Sequence, residues 1–254
     1  MTEEYDLDAG PDPASVAAAT PETEPSYDAT PVFAVGIGPG NTAYLTPRGE
    51  RAIREADVVV GFETVIEFIR GCTDAELLAC SYADETETLE LFAQRVAEGA
   101  TGTAVLMGDP NHSGYQFVGK VQAAVDSAVR IIPGISSLQV AASRARTPME
   151  ETTFVTLHKS GEISSDLHRL CEQVGHRHLL VLPRPYDWMP GDVAATLVEA
   201  GASESLTAIV FERLTHDDET ITKTTLSDLA AHAGGVEAAS TPFSDLSVLV
   251  VRAG

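Results

Sequence analysis

Apolar positions along this chain follow two rhythms. Residues 32–35, 57–61, 103–107 and 129–132 are short, β-branched, nearly continuous apolar runs, as expected of strands in the middle of a sheet. Between them the period changes. Leu89, Phe92, Ala93 and Val96 recur at helical spacing before the stop signal Gly99, and Phe117, Val118, Val121 and Val125 repeat the pattern. Thr46 followed by Pro47 reads as an N-cap with proline at the first helical position, opening a helix that runs through Ala56. A further helix starts at Ser136. Repeated alternation of this kind predicts a mostly parallel sheet with helices on both faces. The second half continues with strands at 154–157, 179–182, 207–211, 220–225 and 247–251 and helices at 167–174 and 192–200, a second α/β domain more mixed in strand direction. The break Arg146-Thr147-Pro148 marks the boundary, so the expected domains are 31–147 and 148–254.

The first thirty residues break both rhythms. They carry eight carboxylates, no Lys or Arg, and prolines at 11, 13, 21 and 25. Such a segment buries too little surface to offset its ordering entropy, and residues 1–30 read as a disordered acidic tail. Acidity also runs through the rest. Sixteen Lys and Arg face 38 Asp and Glu for a net charge of −22, with lysine only at Lys120, Lys159 and Lys223. That balance argues against nucleic acid as a partner, because phosphates need a basic stripe. It fits adaptation to high intracellular salt, where screening over a few ångströms removes self-repulsion. No basic-then-apolar start and no long apolar run is written in the chain, so a soluble cytoplasmic protein that neither spans nor binds a membrane is expected. Cys72, Cys80 and Cys171 lack C-x-x-C spacing and read as buried small hydrophobes in a reducing compartment.

Candidate chemistry lies in loops that follow strands. The turn Val35-Gly36-Ile37-Gly38-Pro39-Gly40 puts backbone on the lining of whatever opens there. It is not the dinucleotide pattern G-x-G-x-x-G, and a tight connection without a ligand explains it equally well. Gly108-Asp109-Pro110 holds a carboxylate between a glycine and a proline at the end of a strand, where a plain turn is the competing explanation. In Pro133-Gly134-Ile135-Ser136-Ser137, Ser136 and Gln139 have capping-box spacing, so these serines have a structural role without any ligand. Leu157-His158-Lys159 closes the first strand of the second half. Neither a nucleophilic triad nor a metal set is written here: no G-x-S-x-G occurs, and His176, His178 and Cys171 lack spaced partners. His112 is a lone loop histidine.

Taken together and in this order, the stretches GIGPGNTAYLTPRGERAIREADVVVG (36–61), GDP (108–110), PGISSLQVAASR (133–144) and FSDLSVLVV (243–251) resemble the tetrapyrrole (corrin/porphyrin) methylase family over about residues 32–252. The resemblance implies two α/β domains with an interdomain cleft that clamps S-adenosylmethionine, and a homodimer. It places Asp109, His112, Ser136, Ser137 and Leu157 beside the cofactor, and Gly36, Gly38, Pro39 and Gly40 along the tetrapyrrole trough. Within the family, FVTLHKSG, LPRPYDWMPGDVAATLVEAG and FERL are most similar to the branch that methylates C5 of a cobalt-precorrin, with a functional link to the C15-methylating and decarboxylating step. Alternatives are another ring position, uroporphyrinogen III, or a diphthine synthase-like protein methylase. A non-enzymatic nucleotide-binding module would keep the glycine turn alone. Two wordings depart from the family: GDPNHSGYQF after the GDP, and LHKSG in place of LHGR. Methyl transfer from a sulfonium is one in-line displacement and needs no protein nucleophile. A polycarboxylate substrate does need cations against this acidic background, and Arg144, Arg146, Lys159 and Arg184 are the candidates.

The charge generates a prediction. Lowering salt from molar to about 0.1 M lengthens the Debye screening distance from about 3 to 10 Å. Cooperative unfolding followed by circular dichroism should weaken and then vanish over that range, and undiminished cooperativity at low salt would remove the halophilic reading.

Overall fold

The computed structural model describes residues 12–19, 21–22, 30–112, 114–159, 161–185, 187–234 and 241–254. They form two compact units, Met1–Ser136 and Ser137–Gly254.

In the first unit, strands β1 (Val32–Gly36), β2 (Val58–Phe62), β3 (Glu76–Cys80), β4 (Gly102–Leu106) and β5 (Val129–Ile132) make one sheet in the order β3-β2-β4-β1-β5. Every pair is parallel. Parallel neighbours need crossovers, supplied by α2 (Pro47–Arg54), α3 (Glu63–Ile69), α4 (Glu85–Ala97) and α5 (Tyr115–Ala124). Alternate strand residues then feed opposite faces. Ala34, Val58, Val60, Ala104 and Leu106 join Leu89, Phe92, Phe117 and Val121 of α4 and α5. Val35, Val59 and Val105 join Ala52, Ile53, Ile66 and Ile69 of α2 and α3. The predicted start of α2 is present: Pro47 is its first residue, and Thr46 Oγ1 accepts the Gly49 N–H at 3.1 Å. β3 and α3 had no sequence signal. β3 is a half-exposed edge, and α3 starts from Phe62 without a side-chain cap.

Two features of the structure differ from the sequence expectations. The reading of residues 1–30 as a disordered tail does not fit the described residues 12–19, because helix α1 (Pro13–Ala18) packs on α5 and buries Ala17. Proline at the first helical position and the Asp12 cap order this turn despite its composition. Apart from residues 21, 22 and 30, the remainder of that segment lies outside the described residues. The two compact units divide at 136/137, and the expected boundary was 147/148. Helix α6 (Ser137–Ala145) packs on strands of the second unit, β7 (His178–Leu182) and β10 (Ser247–Val251), and the Arg252 guanidinium donates to the Ala145 carbonyl at its end.

The second sheet runs β6 (Thr152–Thr156), β7, β10, β8 (Thr207–Glu212), β9 (Thr220–Thr225). β6 and β7 are parallel; the other pairs are antiparallel, the mixed direction expected. β10, last in the chain, sits at the centre and is buried along its whole length. Val181, Leu249 and Val210 on one face pack with Leu170, Val193, Leu197, Leu226 and Leu229 from α7 (Ser164–Gln173), α8 (Pro190–Glu199) and α9 (Leu226–Ala230). No helix among the described residues is long and apolar enough to cross a membrane.

One charge pair is built into the first unit. Lys120 of α5 contacts the Glu85 carboxylate at the start of α4, and their side chains are only 20% and 5% exposed. Burial pushes the Glu85 carboxyl up to about 7 and the Lys120 ammonium down to about 8. A carboxyl raised in the folded state supports stability most below its unfolded value of 4.5, and that support is lost as pH rises through about 7. Lys120→Met leaves the carboxylate buried without its cation and should destabilise by about 3 kcal/mol at pH 8. At pH 5 Glu85 takes up a proton and the loss should shrink. Urea unfolding at the two pH values checks this; an equal or larger loss at pH 5 would contradict it.

Candidate functional site

Strands β4, β1 and β5 are neighbours in a parallel sheet, so the loops leaving their carboxyl ends converge. They meet backbone to backbone. Gly38 N–H donates to Gly108 O at 3.2 Å, and Gly108 N–H to Gly38 O at 2.7 Å. A Cβ on Gly134 would stand 2.1 Å from Gly108 O and 2.6 Å from Gly36 O, and one on Gly36 would stand 2.6 Å from Gly108 O. No side chain fits at either position. Gly38 and Gly108 add positive φ angles of 90° and 67°, the left-handed region that glycine enters freely. Gly36, Gly38, Pro39 and Gly40 are all buried. The glycines thus have a packing task, holding three loops at contact distance, in addition to any ligand they line.

This junction presents Asp109, which is 7% exposed. Its Oδ1 accepts the Asn111 N–H at 2.7 Å and Asn111 Nδ2 at 2.8 Å, while His112 N–H donates to Asp109 O at 3.0 Å. Asn111 is held in turn by the Tyr115 hydroxyl, which donates to its Oδ1 at 2.9 Å. One carboxylate oxygen is therefore committed to the turn, as the competing sequence explanation has it. Oδ2 accepts no hydrogen bond from the described residues. Ser136, 4% exposed, lies against the same junction, its Cα 3.8 Å from where a Gly108 Cβ would be. Sequence reasoning missed Asn111 and Tyr115. The D-x-N spacing of an Asx turn and the i,i+4 step to Tyr115 were the available signals.

The structure gathers Asp109, His112 and Ser136 with the glycine turn in the first unit; Ser137 and Leu157 belong to the second. Leu157, expected beside the cofactor, can offer it only backbone. Its side chain is wholly buried in the second core, its N–H donates to Leu182 O at 2.8 Å and its carbonyl accepts Lys159 N–H at 2.7 Å. Three of the expected substrate cations carry internal counter-ions. Arg144 contacts Glu219, Lys159 Nζ lies 2.6 Å from Asp166 Oδ2, and Arg184 makes a bidentate pair with Asp187 at 2.8 and 2.5 Å while donating to Gly161 O at 3.0 Å. Arg146 differs. It has no ion pair among the described residues, takes φ 56°, and lines a cavity of about 510 Å³ with Gln139, Ser143, Thr147 and Met149. No group of three His, Cys, Asp or Glu able to hold a metal occurs among the described residues.

A parallel sheet with a glycine turn after β1, a carboxylate loop after β4 and a Pro-Gly loop after β5 can now be set against known proteins. The profile of the tetrapyrrole (corrin/porphyrin) methylases matches residues 31–230. The chain belongs to that family. It is accordingly an S-adenosylmethionine-dependent methyltransferase. The methylase is 28% identical over 200 residues to a probable cobalt-precorrin-7 C(5)-methyltransferase of Methanocaldococcus jannaschii, an overlap of 78% of this chain and 91% of the relative. Among solved structures it superposes on a cobalt precorrin-4 methyltransferase with TM-score 0.70 and 21% identity, covering 91% of this chain and 98% of the other. A uroporphyrin-III C-methyltransferase of Thermus thermophilus, solved with S-adenosylhomocysteine, gives TM-score 0.65 and 18% identity over 87% and 92%. These likenesses establish the two α/β sheets as the methylase fold.

Proposed function

We propose that the methylase transfers a methyl group from S-adenosylmethionine to C5 of cobalt-precorrin-7 in cobalamin biosynthesis. The observation carrying this reading is the 28% identity across 91% of the archaeal C5-methyltransferase. S-adenosylmethionine supplies an electrophilic methyl on a sulfonium, together with an ammonium. The first unit suits a cationic ligand of that kind: Asp109 is buried, held rigid by Gly108, Pro110 and Asn111, and keeps Oδ2 for an incoming donor. His112 and Ser136 stand at the same junction as further contacts, and backbone of the glycine turn borders the tetrapyrrole. The protein's work is then orientation of two reactants, worth up to about 7 to 11 kcal/mol, and exclusion of water, without a covalent residue.

The substrate's carboxylates meet a chain whose Arg144, Lys159 and Arg184 are already paired. Substrate binding through these residues means exchanging an internal carboxylate for an external one, so Asp166, Asp187 and Glu219 set how tightly the polyanion is held. Such exchange is a route to discrimination among corrin precursors that differ in their side chains. The cytoplasm, a homodimer and coupling to the C15-methylating step complete the proposal.

Two experiments test it. Incubating the protein with S-adenosylmethionine and a panel of cobalt-precorrins, then reading mass and the labelled carbon by NMR, should give one added methyl at C5 of cobalt-precorrin-7. Methylation at C11 of cobalt-precorrin-4 instead would favour the activity named for the cobalt-precorrin-4 C(11)-methyltransferase of Methanocaldococcus jannaschii, 25% identical over 215 residues. Asp109→Asn keeps the Oδ1 acceptor of the turn and removes the charge. It should weaken S-adenosylhomocysteine binding by about ten- to a hundred-fold, the worth of a charge-assisted hydrogen bond at about 1.5 to 3 kcal/mol. Calorimetric affinity within twofold of wild type would remove Asp109 from the cofactor contacts.

A further inference from the structure

The segment before Pro31 precedes the matched residues 31–230, yet part of it is closely fitted to the first unit. α1 rests on α5 by its backbone. A Cβ at Gly119 would stand 1.8 Å from Pro13 O and 2.4 Å from its carbonyl carbon, so the seat exists because position 119 has no side chain. Asp12 caps α1 by accepting from Ala14 N–H at 3.1 Å and Ser15 Oγ at 2.9 Å, and Ala17 packs in the core with Val118 and Val121. Farther on, Glu22 Oε1 accepts the Ile131 N–H at 2.7 Å. Ile131 lies in β5, the edge of the sheet, and a carboxylate on that donor caps a group that would otherwise invite another strand. Under the segment runs a cavity of about 350 Å³, walled by Pro21 and Glu22 on one side and by Asn111, Tyr115, Ile131 and Pro133 on the other.

The last four residues connect the segment to the site. Tyr115 is the first residue of α5, and its hydroxyl holds Asn111, which holds Asp109. Pro133 precedes Gly134 of the three-loop junction. We propose that residues 12–19 and 21–22 form a positioning strap: seated on Gly119 and tied to Ile131, it fixes α5 and β5 and so presents the Asp109 loop in its binding arrangement. The inference rests on reading that loop as part of the cofactor site. The physical basis is preorganisation, since a loop already ordered loses less freedom when a ligand arrives.

Gly119→Ala in the full-length protein separates the seat from the helix. Alanine favours helix over glycine, so α5 itself gains while Pro13 is displaced. Amide hydrogen exchange should quicken at Ile131, Asn111 and His112 by about fivefold or more, as expected of local opening, with β2 and β3 amides unchanged. Calorimetry should show the S-adenosylhomocysteine dissociation constant raised about three- to tenfold. Tyr115→Phe leaves the strap seated, so Ile131 should stay protected while Asn111 and His112 exchange faster and affinity falls similarly. A freed strap, seen as rapid Ile131 exchange, with Asn111 and His112 still as slow as in wild type overturns the proposal. If Gly119→Ala does not fold, unchanged loop exchange in Tyr115→Phe overturns it alone. Absence of S-adenosylhomocysteine binding in the wild-type protein would instead refute the cofactor reading of the loop, and the exchange data would still decide the strap.

Discussion

The first unit depends on a steric constraint: three loops at the carboxyl edge of a parallel sheet approach until their backbones touch. Adjacent strands lie about 4.8 Å apart, and the loops leaving β4, β1 and β5 have no room to diverge before they meet. Gly36 and Gly134 have no space for a Cβ, and Gly108 needs a left-handed backbone. Because the contact is made by main chain, its geometry does not vary with rotamer. Asp109, the next residue after Gly108, and Ser136, two after Gly134, therefore inherit fixed positions from elements far apart in sequence.

Electrostatics in this chain is a local matter set within a strongly acidic average. Thirty-eight carboxylates against sixteen Lys and Arg leave every cation with abundant potential partners, and Arg95, Arg144, Lys159, Arg184 and Arg213 each have at least one. Most such pairs are partly exposed and contribute little to stability. Their consequence lies in binding, because a polyanionic ligand competes with carboxylates already in place. Arg146, held at positive φ beside a cavity and without an ion pair among the described residues, stands outside that competition.

Helix α5 links stability to the site. At consecutive residues it offers a bare backbone seat at Gly119 and a cation at Lys120 for the buried Glu85, and its first residue reaches the Asp109 loop through Asn111. Tyr115 and Gly119, four residues apart, share one face of this helix, and Lys120 stands beside it. Its fixed orientation is thus worth more than its own helix propensity, which Gly119 lowers.

Period and punctuation in the sequence determined the alternating strands and helices apart from β3 and α3, the parallel first sheet and the mixed second, since each rests on local rules of burial and capping. The glycine turn, the GDP loop and the Pro-Gly loop were legible as candidate site elements for the same reason: glycine and proline restrict their own backbone. What only the tertiary structure decided were properties of pairs distant in the chain. α6 belongs with the second unit because β7 and β10 cover it, although a Thr-Pro break follows it in sequence. The Leu157 side chain enters a core, and Arg144 is neutralised by Glu219, through partners that no local pattern announces. Helix α1 packs on α5 because Gly119, about a hundred positions later, leaves room for Pro13. Composition reports what a segment can bury by itself; it is silent on a surface shaped elsewhere to receive it.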